Sequence, residues 1–213
     1  CQIANQYGCI NIVDAVTSLA GSELRVDEWG IDAIYSGSQK CLSAMPGLSP
    51  VSFSDRAIEK LTNRKTPVTS WFLDLNLVMG YWGKGAKRAY HHTAPVNTLY
   101  GLHESLVMLT EEGIENSWSR HQQNHILLRD GLNKLGIDYL VDEASRLPQL
   151  NSVLIPQDQD DLGVRSSLLK NYNIDIGAGL GPLEGKIWRI GLMGHTSRKE
   201  NIELLLSALK DTL

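Results

Sequence analysis

The sequence predicts an α/β protein in two parts. Residues 1–112 read as part of a large domain with a mainly parallel sheet, and residues 113–213 as a small C-terminal α/β domain. Three observations predict this. Short apolar runs near residues 9–13, 33–35 and 50–53 are bounded by turn residues, as buried strands are. Between residues 98 and 135, apolar side chains recur at helical spacing. Beyond Gly136 the pattern becomes strand, strand, helix, strand, strand, helix over a length that suits a small domain.

Each element has a local reason. Cys9 to Val13 is a continuous apolar run broken only by Asn11, which predicts a buried strand and a buried Cys9. Ala33 to Tyr35 is a second strand, closed by Ser36-Gly37-Ser38. Pro50 to Phe53 is a third. Ser54 can cap a helix from Asp55 to about Asn63, with Asp55 at its positive end and Arg64 at its negative end. The stretch from Lys65 to Pro95 carries Trp71, Phe72, Tyr81, Trp82 and Tyr90 without a clear period. A connection this long in a compact domain is usually functional or part of an interface.

A helix is then expected from about Thr98 to Glu112, with Leu99, Leu102, Leu106 and Leu109 on one face and Gly113 as its break. A second runs from about Ile114 to Leu135, with Ile114, Trp118, His125, Leu128, Leu132 and Leu135 in register and Gly136 as its stop. Strands follow near Asp138–Val141, Ser152–Ile155, Ile174–Ile176 and Ile187–Leu192. Helices are expected near Leu162–Asn171 and Ser197–Leu209, the latter opened by a capping box of Ser197 and Glu200.

Composition narrows the function. An apolar fraction of 42% can fill a core. The net charge of −4 is spread along the chain, which argues against a nucleic-acid or anionic-membrane binder. No apolar run is long enough to span a bilayer, and no signal-peptide pattern opens the chain. The cysteines, Cys1, Cys9 and Cys41, lack metal-like spacing, and so sparse a set suits a reducing compartment. Cys41 reads as a small packing residue. The sequence opens on Cys1 and reaches a strand almost at once, so it is expected to be the C-terminal portion of a longer chain.

Two residues carry chemistry. Lys40 ends the string Ser36-Gly37-Ser38-Gln39-Lys40, a small-residue turn after a strand. Asp14 closes the preceding apolar run. A lysine held this way can be a Schiff-base nucleophile, and an aspartate at a strand's carboxyl end can partner a pyridinium nitrogen. Together they point to pyridoxal phosphate. Alone, each has a plainer reading: lysines in turns are usually solvated, and Asp14 beside Thr17 and Ser18 suits a turn or cap.

The neighbouring strings weigh on that choice. Ile12-Val13-Asp14-Ala15-Val16-Thr17-Ser18-Leu19, Asp27-Glu28-Trp29-Gly30-Ile31-Asp32 and Tyr35 to Lys40 resemble the class V aminotransferases. Within that class they are similar to the alanine–glyoxylate and serine–pyruvate aminotransferase family. The likeness continues through Pro46-Gly47-Leu48-Ser49, Ser52-Phe53-Ser54-Asp55, Tyr90-His91-His92-Thr93-Ala94-Pro95-Val96, Leu99-Tyr100, Gly179-Leu180-Gly181-Pro182 and Trp188 to Gly194. It therefore covers nearly the whole chain in order.

The resemblance implies fold type I of the pyridoxal phosphate enzymes and pyridoxal 5'-phosphate as cofactor. Lys40 would form the internal aldimine and then act as proton-transfer base, for which its amine must be neutral. Asp14 would hold the ring nitrogen protonated, and Val16 would pack on the ring face. Gln39 would donate to the phosphate. Tyr90 and Thr93 would reach the phosphate of the neighbouring subunit in a homodimer. Arg189 would clamp the substrate carboxylate, its fork matching that group, whereas a structural salt bridge is the plainer role. The reaction implied is amino transfer from alanine or serine to glyoxylate or pyruvate, removing glyoxylate and forming glycine. The compartment implied is the peroxisome, with cytoplasm or mitochondrion as alternatives.

Other readings are a 3-hydroxykynurenine transaminase of the same family, or an inactive dimerisation fragment. No metal is expected. Adjacent histidines such as His91 and His92 diverge, and no third ligand stands at zinc-like spacing. The string Ile176 to Gly181 imitates a dinucleotide loop but leads to a strand rather than a helix.

Overall fold

The computed structural model describes residues 1–82 and 90–213. The chain begins with a short helix α1 (Gln2–Gln6), then β1 (Ile12–Asp14), β2 (Ala33–Tyr35) and β3 (Val51–Phe53). Helices α2 (Asp55–Thr62), α3 (Leu75–Trp82), α4 (Val96–Glu112) and α5 (Ile114–Lys134) follow. The remainder is β4 (Leu150–Leu154), α6 (Asp161–Tyr172), β5 (Gly177–Ala178), β6 (Ile187–Gly191) and α7 (Lys199–Thr212). No described helix is long and apolar enough to cross a membrane.

The strands form two sheets. In the first, β1 and β2 are parallel and β3 returns antiparallel beside β2. The segment joining β2 to β3 holds no helix of its own. Ser36 and Ser38 donate their N–H groups to Pro50 and Leu48, so the segment folds back on itself and returns the chain antiparallel. Buried Asp32 pins this sheet. It accepts hydrogen bonds from Asn11 N (3.0 Å), Asn11 Nδ2 (2.8 Å) and Ser54 Oγ (3.0 Å), and pairs with Arg56 (2.9 Å). These partners hold its carboxyl below the usual range, the Asn11 N–H most of all. Ser54 caps α2 as expected, accepting from Ala57 N at 3.1 Å.

The second sheet has the order β4-β6-β5, all antiparallel. Leu128 and Leu132 of α5, Val164 and Leu168 of α6, and Ile202, Leu205 and Leu209 of α7 bury against Val153, Trp188 and Ile190 of the sheet. The Trp188 indole N–H is satisfied by Asp161 Oδ1 at 3.0 Å. Gly136, at φ +72°, closes α5, and Ile137 N reaches back to Leu132 O.

Several expectations change. Cys9 is exposed, because the strand starts at Ile12. The segment expected to be irregular contains α3, and its residues 83–89 lie outside the described ones. Near Asp138–Val141 only Tyr139 bridges to Val153. Ile174–Ile176 is not a strand: Asn173 takes a left-handed cap and Ile174 N bonds Leu168 O, so these residues close α6 and pairing starts at Gly177. Ser197 does not cap α7, because it is buried and bonded to α5, and the helix starts at Lys199. On α4, Leu102 and Leu109 pack on Ala20, Cys41 and Leu42, while Leu99 and Leu106 are exposed.

Candidate active site

The parallel pairing of β1 and β2 sets Asp14 opposite Tyr35. Both strands therefore end on the same sheet edge, where open α/β sheets place ligands. Ala15 N donates to Tyr35 O at 2.9 Å, and Ser36 Oγ donates to Ala15 O at 2.9 Å, which locks the two exits together. The Asp14 carboxylate is exposed. Oδ1 accepts from Val16 N at 2.8 Å, and Oδ2 accepts from the Tyr35 hydroxyl at 2.9 Å. That hydroxyl bond pushes the Tyr35 phenol above its ordinary range. A carboxylate has about four acceptor sites, so Asp14 retains capacity for a further donor. Val16, half-buried, stands beside it.

Lys40 lies just beyond β2. Ser36, Gly37 and Ser38 are buried, and Ser38 Oγ donates to Met45 O at 2.6 Å, which ties the turn to the chain that follows it. Lys40 N closes the turn on Gly37 O (3.3 Å), and Ser43 N donates to Lys40 O (2.9 Å). Lys40 itself is half-buried, and among the described residues its ammonium forms no ion pair. Gln39 is exposed, with its amide folded over Gly37. Buried Cys41 is the packing residue expected; desolvation pushes its thiol up to about 11.

Arg189 lies on β6 between Trp188 and Ile190, which face the core. It leaves the opposite face, and its Nε donates to Ala178 O at 2.7 Å. Gly177, paired with it across the sheet, leaves room: a Cβ there would come 3.3 Å from a guanidinium nitrogen. Among the described residues Arg189 forms no ion pair, so the salt-bridge role is not the one observed. Gly179 permits a close approach by Leu183, where any Cβ would overlap the carbonyl group. The glycine string thus builds a connection between β5 and β6, not a dinucleotide loop.

Tyr90 and Thr93 share a hydrogen bond through their hydroxyls, and both are exposed. His91 stacks on Trp71 with ring centroids 4.1 Å apart, and its Nε2 lies 3.2 Å from Trp71 O. His91 and His92 face each other through their Nδ1 atoms at 2.8 Å. The histidines thus tie this loop to the segment around Trp71. The structure brings Asp14 and Lys40 to one sheet edge. It joins neither to Tyr90, Thr93 or Arg189 by a described hydrogen bond. Tyr35, which sequence reasoning passed over, is the direct partner of Asp14; only the strand register reveals it.

Comparison with known proteins finds relatives along nearly the whole chain. A family model described as "Aminotransferase class-V" matches residues 1–205. The alanine–glyoxylate aminotransferase of Callithrix jacchus is 44% identical over 214 residues, which covers 100% of this chain and 52% of that protein. The (S)-ureidoglycine–glyoxylate transaminase of Bacillus subtilis (strain 168) is 36% identical over 220 residues, covering 95% of this chain and 52% of that protein. The crystal structure of an alanine–glyoxylate aminotransferase from Nostoc sp. superposes with a TM-score of 0.95 at 46% identity, covering 99% of this chain and 55% of that one. The chain spans about half the length of the curated relatives it matches. With the family pattern running through both sheets and the edge that holds Asp14 and Lys40, the chain belongs to the class V aminotransferases.

Proposed function

We propose that the full-length protein is a pyridoxal-phosphate-dependent aminotransferase that moves an amino group from a small amino acid, alanine or serine, to glyoxylate or pyruvate. One observation carries the reading: Asp14 and Lys40 leave adjacent parallel strands at one sheet edge, within a chain that matches this family over residues 1–205. The donor set fits the cofactor. A carboxylate with spare acceptor capacity suits a protonated ring nitrogen, and a lysine without a carboxylate partner suits covalent attachment.

Lys40 would hold the cofactor. Asp14 would keep a proton on its ring nitrogen, and Val16 would supply an apolar contact. Gln39 would donate to the phosphate, as would Tyr90 and Thr93 from a second copy of the chain. The bound cofactor supplies an electron sink for the carbon that loses its proton. Lys40, once displaced by substrate, would take that proton from the substrate α-carbon. Arg189, with Nε committed to Ala178 O, retains its terminal N–H groups for a substrate carboxylate.

The small second sheet and its helices form their own core, and we place the division from the cofactor-binding part near residue 112. The peroxisome is the compartment the likeness implies, to be checked by fractionation. The (S)-ureidoglycine–glyoxylate relative adds a second class of amino donor to test. In the test, full-length protein with cofactor is reduced with borohydride, and the modified peptide is identified. The expected adduct lies on Lys40 and disappears in Lys40→Ala, and a panel of donors and acceptors then ranks the substrates. An adduct that persists in Lys40→Ala would sink the assignment.

A further inference from the structure

On α5, the polar side chains Ser117, His121, Asn124 and His125 are buried. His121 is fully enclosed. Its Nδ1 lies 2.7 Å from Ser117 O, and its Nε2 lies 2.9 Å from Gly194 N. A carbonyl only accepts and an N–H only donates. The ring must therefore carry its proton on Nδ1 and a lone pair on Nε2, the neutral tautomer.

Gly194 is pressed against the turn that follows Lys40. Its φ is +56°, and a Cβ there would lie 2.7 Å from Cys41 O and overlap the Ser43 hydroxyl. The next residue, His195, donates its N–H to Ser43 Oγ at 2.8 Å. Ser43 takes φ +62°, a conformation L side chains rarely adopt, and donates its own N–H to Lys40 O at 2.9 Å. Arg120, paired with Glu112, braces the same strip through Gly194 O (2.9 Å) and Ser197 O (3.0 Å).

We propose that His121 is a positioning residue for Lys40: as a neutral acceptor it holds Gly194, and through Gly194, His195 and Ser43 it fixes the turn that presents the lysine. This rests on the reading of Lys40 as the cofactor-bearing residue. Burial favours the neutral ring, pulling His121 below the ordinary histidine range. The Ser117 carbonyl opposes that shift; of the charged neighbours, Arg120 adds to it and Glu112 works against it.

The test uses the full-length holoenzyme with His121→Leu, which removes the acceptor, and His121→Gln, whose amide oxygen can restore it. Two readouts are followed: amide exchange of the segments 40–44 and 194–197, and the pH midpoint of the absorption band of the Lys40-bound cofactor. In His121→Leu, exchange should rise about tenfold. The midpoint should move, and kcat should fall about tenfold with KM changed less than about threefold. His121→Gln should restore all three most of the way. Faster exchange with an unmoved midpoint and kcat would overturn the positioning role, as would a glutamine variant impaired as badly as leucine. Should His121→Leu not fold, Ser43→Ala breaks the same chain at an exposed hydroxyl, and an unmoved midpoint there overturns the proposal. A wild type without a Lys40 band overturns the functional reading and this one with it. Exchange measured without cofactor shows whether the clamp exists independently.

Discussion

Arg189 shows what a single residue's surroundings demand. Its strand neighbours fill the core, its Nε is taken by Ala178 O, and Gly177 opposite leaves space along the guanidinium. Lysine cannot reproduce a planar fork with two donors in parallel. Arg189→Lys should therefore lower turnover with amino acids by about a hundredfold, the scale of a lost charge-assisted pair, and leave cofactor binding unchanged. Equal wild-type activity on an amino acid and its decarboxylated amine would refute the clamp. The buried histidines carry a second prediction. Desolvation lowers both His121 and His125 below the ordinary value near 6.5, so the unfolded chain binds more protons as pH falls beneath that value. Stability is then complete above about pH 6.5 and declines below it, by at most about 1.4 kcal/mol per unit for each histidine. Denaturant titrations between pH 7.5 and 5.5 should show this slope, and His125→Gln should reduce it to the share that His121 contributes. Lys40, Asp14 and Arg189, the residues of the proposed site, could be singled out in the sequence because each sits in a short, distinctive string. Tyr35 and His121 were not, since their partners, Asp14 and Gly194, lie across a strand register and a helix packing that no local string encodes.

At the scale of elements, local chemistry predicted most of what formed. The strand Ala33–Tyr35 and the cap of α2 appear where Ser-Gly-Ser and Ser54 announce them. Two of the misses share a cause. Ser197 has every local feature of a cap, yet Asn124 takes both its carbonyl and its hydroxyl, at 2.7 and 3.1 Å, so tertiary bonding outweighs the capping box. Ile174 has strand propensity, yet its N–H is spent on the end of α6. Ser54 is the converse case, where cap and tertiary bond coincide: its hydroxyl accepts from Ala57 N and donates to buried Asp32. Ser54→Ala should thus cost more than an ordinary cap, about 2–3 kcal/mol from the cap together with the partner withdrawn from a buried carboxylate. Ser54→Thr keeps the hydroxyl and should cost less than half as much. Equal destabilisation of the two variants in urea unfolding would show that the hydroxyl is not the source.

The whole molecule leaves large apolar side chains exposed around the loop that carries the Tyr90 and Thr93 hydroxyls. Trp71, Phe72 and Leu73 are more than half exposed, and Tyr90 is 75% exposed. Val96 and Tyr100, at the start of α4, are also exposed. Exposed large apolar side chains in such number are a feature of surfaces that meet another chain. Tyr90 and Thr93 stand on this surface, bonded to each other and not to Asp14 or Lys40. In the proposed reading they serve a cofactor held by a second copy. An obligate dimer with an extensive apolar interface is the expected assembly. The decisive experiment coexpresses two full-length inactive subunits, one Lys40→Ala and the other Thr93→Ala. If Thr93 serves its partner's site, each mixed dimer contains one site with both defects and one with neither, and activity should rise well above either parent. If Thr93 serves its own subunit, every site in the mixed dimer carries one defect, and mixing restores nothing. Mixed dimers that form without recovered activity, from parents that are both impaired, would place Thr93 outside the partner's cofactor site.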